Sequence, residues 1–364
     1  MKAYLLSLST HTPPYFEAHD AFAEKLIEAL RLDKRQSKLV QKIFRGTKIK
    51  KRHTVIEDFL NPRFEGPLFG SSLPESAPGM SQRNEVYIKE APLLAHATAE
   101  KTLNSWKGSR QDITHLISVS CTGLTAPGIE FLLLESLGLS RSTDRLGINF
   151  MGCFGAFKGL SIAKSIAREN PNNRVLLVCT ELCSLHLNFD GKLDTIISNA
   201  IFSDGAASLI VGCEPRPEEN PLMEIVSHSS YALSDTLPLM TWEARDEGLV
   251  MGLSREVPKI IEKHAASFAK SLLGENIDFS DCCWPIHPGG KAILESVEKS
   301  CQLDRSQTSS SWEIWENYGN MSSATFLFVL ENILNKPASR EWNVGLGFGP
   351  GLSMEGMLLR RIMS

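Results

Sequence analysis

Residues 147–170, GINFMGCFGAFKGLSIAKSIAREN, decide the fold class. A short apolar strand runs into a turn bounded by Gly152 and Gly155, and the turn opens a helix with apolar residues at helical spacing. Strand, turn and helix in that order form the repeating unit of α/β folds. The same layout recurs in both directions from this stretch. ITHLISVSC (113–121) leads through TGLTAPG into IEFLLLESLGL, and RVLLVCTEL (174–182) reads as another buried strand. Further on, REVPKIIEKHAASFAKSLL reads as a helix, DCCWPIHPGG turns into KAILESVEKSCQL, and NYGNMSS opens ATFLFVLENIL. Each half delivers a reactive residue at a strand end before a helix, so a duplicated α/β architecture with one site between halves is expected. The halves are 1–213, carrying Cys153, and 222–364, carrying His287 and Asn320, joined by the acidic, proline-rich EPRPEENP (214–221). Residues 62–83 and 304–312 read as surface loops.

Length and composition bound the function. A chain of 364 residues can bury an ample core without staples. Its eight cysteines lie mostly in apolar runs such as VLLVCTELC, which suits buried thiols in a reducing compartment, and the expected location is cytoplasmic. The amino terminus, MKAYLLSLSTHTPPY, reads as a first strand rather than a secretory segment. Apolar runs such as FLFVL (326–330) fall far short of the roughly 18 residues that span a bilayer, so a membrane-embedded chain is not expected. Net charge is −4, yet residues 31–53 hold ten Lys/Arg against one Asp. A basic stretch on an acidic protein favours a compact polyanion over a long nucleic acid, and reads equally as a solvated helix rim.

Three short motifs carry reactive side chains: Cys153 in MGCFGAFKG, His287 in IHPGGKAIL and Asn320 in NYGNMSSA. Cys153 precedes a helix, whose positive end would lower its thiol pKa; a buried small hydrophobe fits that context equally, and the flanking Gly152 and Gly155, which let a substrate approach the backbone, tip the balance to a nucleophile. His287 is held at a Pro-Gly-Gly turn, where it would stabilise the thiolate in an ion pair and donate to a thioester carbonyl. Asn320 alone reads as an N-cap; beside the other two it is a neutral donor for an oxyanion. The trio points to a thiol enzyme that handles acyl groups.

With FSDGAASLIVG and GFGPGLSMEG added, these blocks resemble, in order and spacing, the signatures of type III polyketide synthases, the chalcone synthase superfamily, from about residue 110 to the end. ITHLISVSCTGLTAP and VCTELCSLH look closer to bacterial members than to plant ones. The resemblance implies a thiolase-like, layered αβαβα fold and a homodimer that uses acyl-CoA and malonyl-CoA, with no metal or redox cofactor. Cys153 would be acylated by a starter, and His287 and Asn320 would hold the enolate formed as malonyl-CoA loses carbon dioxide. Alkylpyrone, resorcinol and chalcone-type products remain open. Phe202 matches the family's gatekeeping phenylalanine and Met251 stands where a second is usual, so a longer or aliphatic starter is easier to accommodate. Cys121, Cys183 and His186 occupy places of threonines and Trp242 that of a small glycine, while Ala126 replaces a methionine that reaches across the dimer. Lys42 would meet CoA phosphates and Ala292 the pantetheine arm.

Other classes fit less well. Cys179, Cys183 and His186 lie in a strand-like run without a turn between ligands, so no metal site is expected. A papain-like peptidase shares the order Cys, His, Asn but its local cysteine signature is absent. A ketoacyl synthase of the fatty-acid priming type and a non-catalytic protein of the same fold remain as alternatives, the first opposed by HPGG and GFGPG and the second by the intact trio.

Overall fold

The computed structural model describes residues 1–275 and 277–363. Nine strands among these residues form one sheet, and its order makes the duplication visible. From one edge, the first half contributes Asp144–Asn149, His115–Ser120, Arg174–Leu182, Asp204–Cys213 and Ala3–His11. The first three run parallel and the last two pairings are antiparallel. From the other edge, Cys282–Cys283 runs parallel to Trp342–Gly349, followed by antiparallel Ser353–Arg361 and antiparallel Met223–Ala232. In each half the first strand along the chain therefore lies beside the last. The halves join where Ala3, Tyr4 and Leu5 pair with Ile225, Glu224 and Met223.

Alternation along the strands sorts the core into three layers. Leu116, Leu176, Val178 and Ile210 pack with Phe22 and Leu26 of the helix His19–Ala29 and with Ala91 and Leu94 of Met80–Ser105. Their neighbours Ile117, Val119, Leu177 and Leu209 face the opposite way, onto Gly155–Glu169 and Ala324–Leu334. Val344, Leu346 and Phe348 of the second half cover Val257–Leu273 and Lys291–Cys301. Helices thus lie outside and between the two sheet halves, as a layered αβαβα fold requires. The central helix Ala324–Leu334 is buried from Ala324 through Leu330, which explains its nearly unbroken apolar sequence. Its Phe326 ring lies 4.0 Å from that of Phe157. Gly159 lets the other central helix close on the sheet: a Cβ there would meet Leu177 Cδ1 at 2.7 Å.

Two segments differ from the sequence reading. Residues 304–312, which read as a loop, instead cap and begin the helix Arg305–Tyr318. Serines lower helix propensity, but here Ser311 Oγ accepts from Ile286 N at 2.9 Å, and Trp312 and Trp315 are buried. The excursion 62–83 is pinned by Phe64 and Phe69, both fully buried among Phe22, Phe59 and Phe189, and its end starts the helix Met80–Ser105. All eight cysteines are free thiols. Among the described residues no helix is long and apolar enough to cross a membrane.

Candidate active site

Cys153 sits in the one-turn 3-10 segment Gly152–Phe154, between the strand Asp144–Asn149 and the helix Gly155–Glu169. The chain turns there through two left-handed residues, Phe150 at φ 57° and Gly152 at φ 71°. A side chain at Gly152 would meet Pro350 Cδ at 2.6 Å, so GFGPG and MGCFG are built against one another. Asn320 is fixed on both sides of its backbone: its N–H donates to Ile201 O at 2.8 Å and its carbonyl accepts from Ser203 N at 2.9 Å. Its Oδ1 accepts from Ser322 N at 2.8 Å, so the amide must turn its NH2 outward. That group lies 3.8 Å from Cys153 Sγ and 3.4 Å from Gly289 O. His287 donates its backbone N–H to Leu346 O at 2.7 Å, and its carbonyl accepts from Gly289 N. The ring is fully buried and neither nitrogen has a partner among the described residues.

Burial governs the electrostatics. It pushes the Cys153 thiol up to about 11, against the opposing hydrogen bonds of Asn320 and Ser322, and pushes His287 down to about 3. Taken singly, each buried group is therefore driven toward its neutral form. Nearby, Glu181 is buried with Cys121 N at 3.0 Å, Thr122 Oγ1 at 3.0 Å and Ser323 Oγ at 2.5 Å donating to it, while burial raises its pKa.

The trio opens on one cavity of about 410 Å³, walled also by Phe202, Met251 and Ala292. Phe202 and Met251 stand between it and a second space of about 30 Å³ lined by Cys153, Cys121, Cys183 and Trp242. Trp242 fills most of that side: its Nε1 donates to Cys121 O at 2.7 Å, and its ring lies 5.9 Å from Phe202 and edge-on to His186 at 5.8 Å.

Known proteins share this arrangement. Family models described as chalcone and stilbene synthases match the whole of this layout, the N-terminal domain over residues 1–215 and the C-terminal domain over 224–363. The chain belongs to the chalcone and stilbene synthase family. Type III polyketide synthase A of Arabidopsis thaliana is 32% identical over 100% of this chain and 94% of its own length. The probable polyketide synthase 1 of Dictyostelium discoideum is 36% identical over 89% of this chain, which spans only 10% of that longer protein. The crystal structure of the C-terminal type III polyketide synthase domain of Steely1, a type I/III hybrid from Dictyostelium, superposes with a TM-score of 0.93 at 31% identity, covering 100% of both chains. This chain is a type III polyketide synthase with the thiolase-like fold. These relatives lend no support to the bacterial leaning of its strand segments.

In this polyketide synthase the expected wall residues separate into groups. Phe202, Met251, Cys121, Cys183 and Trp242 line the spaces around Cys153, and Ala292 lines the larger cavity. His186 stands one layer behind Trp242, with Nε2 bonded to Thr122 O at 2.8 Å and Nδ1 accepting from Leu249 N at 3.1 Å. The first bond requires Nε2 to carry the hydrogen, so His186 is a neutral brace. Lys42 is exposed and outside the cavity wall, because the helix Lys34–Thr47 turns Ile43, Gly46 and Thr47 toward the cavity instead. The cations that do line it, Arg255 and Lys291, were not singled out in the sequence. Lys291 follows HPGG directly, so its place after the His287 turn was the available signal. Glu181 was also missed, although an acid inside the apolar run VCTEL is an unusual residue to bury.

Proposed function

We propose that Cys153 attacks the carbonyl of an acyl-CoA starter, forming an S-acyl enzyme and releasing CoA thiol. Malonyl-CoA then enters the same cavity, and loss of carbon dioxide leaves an enolate whose oxygen is held by the Asn320 amide and a His287 ring N–H. The enolate carbon attacks the acyl carbonyl on Cys153, forming the new carbon–carbon bond as the sulfur leaves. His287 is the acceptor for the Cys153 proton, since a charge pair offsets part of the desolvation that each ion meets alone.

One observation carries this reading: a donor amide locked by Ser322 and a buried ring with two unpartnered nitrogens face the same cavity as the thiol. Unpaired buried polar groups are costly, so such a set is suited to a bound polar substrate. Phe202 and Met251 act as the gate, Ala292 borders the pantetheine arm, and Arg255 and Lys291 replace Lys42 as the cations beside the CoA. CoA thioesters suffice, with no further cofactor. Because Trp242 leaves about 30 Å³ beyond the gate, small cyclised products such as pyrones suit the site better than a chalcone.

A homodimer is supported by the exposed apolar surface around the free sheet edge Asp144–Asn149, where Leu146, Phe131, Leu132, Phe150 and Leu124 face outward. The halves 1–213 and 222–364 are its structural units, and free thiols suit the cytoplasm. The test is mass spectrometry of intact protein after incubation with a panel of aliphatic and aromatic acyl-CoAs. An acyl mass on Cys153, absent from Cys153→Ala, is expected; folded protein that carries no acyl group with any starter refutes the proposal.

A further inference from the structure

We infer that the exposed face of the helix Lys34–Thr47 docks a small acidic carrier protein that delivers acyl groups on a phosphopantetheine arm. The inference rests on the reading that the neighbouring cavity receives acyl thioesters. The helix carries no acidic residue, and Lys34, Arg35, Lys38, Lys42 and Arg45 are all exposed. At 3.6 residues per turn these five share an arc of about 100° opposite the buried Val40, Phe44 and Thr47. Of the flanking cations Arg31 is neutralised by Glu75 and Lys50 by Glu316, whereas Lys48 and all five of the row have no ion pair among the described residues. Lys34 and Arg35 occupy the first turn, where the helix dipole opposes positive charge, so local helix stability does not explain them.

The cation face leads to the active site. Ile43, Gly46 and Thr47, on the flank and inner side of the same helix, line the cavity that holds Cys153. From Lys34 to Arg45 the row is about 16 Å long. A CoA bound in this cavity would present its three phosphates near the part of the helix that lines it, Ile43, Gly46 and Thr47. Lys34, Arg35 and Lys38 lie two to three turns farther away, which calls for an acidic surface that extends past the point where the arm enters. A membrane suits the face poorly: Leu39, 46% exposed, is the one large apolar side chain of this helix that stands open, and its apolar stripe is spent on the core. The row of cations is one helix long on a chain of net charge −4, which suits a compact acidic surface better than a polynucleotide. In the transfer, the Cys153 sulfur bonds to the acyl carbon, the bond to the arm's sulfur breaks, and the proton of the Cys153 thiol ends on the arm.

The experiment compares loading of Cys153 from one acyl group presented on an acidic acyl carrier protein and on CoA, in wild type and in the triple variant Lys34→Glu, Arg35→Glu, Lys38→Glu. At low salt the variant should lose about 30-fold or more in kcat/KM for the carrier thioester, as expected when a steering field is reversed. Loading from acyl-CoA should change less than about threefold by the same reasoning, since these residues are remote from the mouth. Wild type that loads no better from the carrier than the variant does overturns the inference, as does an equal loss with both donors, which would make the face a CoA site. Loss of binding to anionic phospholipid vesicles with carrier loading intact would assign it to a membrane and overturn it too. Failure to load Cys153 from either donor in wild type would instead remove the thioester reading itself.

Discussion

Trp242→Gly should lengthen the products. In the wild type the space beyond Phe202 and Met251 is about 30 Å³, room for only about two waters, so a growing chain meets the indole at once. A second space of about 20 Å³ lies behind the same wall, lined by Cys183, His186, Phe202 and Trp242. Removing the indole joins the two and adds the room it occupied. The cost is the hydrogen bond from Nε1 to Cys121 O, about 1 kcal/mol, plus lost contacts with Phe202 and His186. Since Trp242 is only half-buried, a total of about 2–3 kcal/mol is expected, below the usual range for a core tryptophan. The gain is selective: each methylene newly accommodated against an apolar wall is worth about 1–3 kcal/mol, or roughly 10–200-fold in kcat/KM. The assay is product mass spectrometry with aliphatic acyl-CoA starters of increasing length, alongside thermal unfolding. Trp242→Phe keeps most of the bulk and loses only the hydrogen bond, so it should be slightly less stable with an unchanged product pattern. A folded, active Trp242→Gly enzyme whose starter range and extension number match the wild type would refute the reasoning.

Asn320→Ala should lower carbon dioxide release from malonyl-CoA by about 10²–10³-fold, the usual loss for one oxyanion donor, while Cys153 still accepts a starter acyl group; normal decarboxylation would end its proposed role. His287→Ala should move the pH profile of Cys153 alkylation by iodoacetamide upward, because burial alone drives the thiol toward about 11 and the imidazolium no longer offsets it; an unmoved profile would exclude His287 from activating the thiol. Glu219→Ala should destabilise the fold by about 3–5 kcal/mol, read by denaturant unfolding, because it strands Arg174, which is 1% exposed and bonded to Glu219 at 2.7 Å. Although burial opposes it, the bonds from Arg174 hold the folded Glu219 pKa below its ordinary 4.5, so this contribution is complete above that value and fades as pH falls through the folded value. Leu146→Asp, on the free sheet edge, should convert a dimer to monomer by light scattering, and a persistent dimer would place the interface elsewhere.

The residues legible in the sequence are those whose position depends on a turn of their own. Cys153, His287 and Asn320 each lie within two residues of a glycine, and the strand that feeds each turn is readable from its apolar run, so their convergence needed only the pairing of two similar halves. What surrounds them depends on distant packing. Nothing local to Trp242 says that its indole will reach a carbonyl 121 residues away, and that contact is what reduces the space beyond Phe202. The reactivity of the thiol is likewise a property of enclosure: the helix start beside Cys153 is visible in the sequence, but the desolvation that pushes its pKa up is created by walls drawn from several distant segments.

Lys42 shows the same limit from the side of charge. A basic run marks a charged helix, yet only the phase of that helix decides which residues enter the cavity, and the phase is set by the burial of Val40, Phe44 and Thr47. That burial turns Ile43 and Gly46 toward the cavity and sends Lys34, Lys38, Lys42 and Arg45 to solvent, so the charge seen in the sequence lies outside the cavity rather than along its wall. The cations that line the cavity are instead Arg255 and Lys291, which stand more than 200 residues along the chain in neighbouring helix starts. Separating the two sets has a physical consequence: charges on the exposed helix are screened by salt and act on encounter, whereas those at the cavity act on the bound thioester. Ionic strength should therefore change how fast an acidic donor arrives far more than how tightly its arm is held.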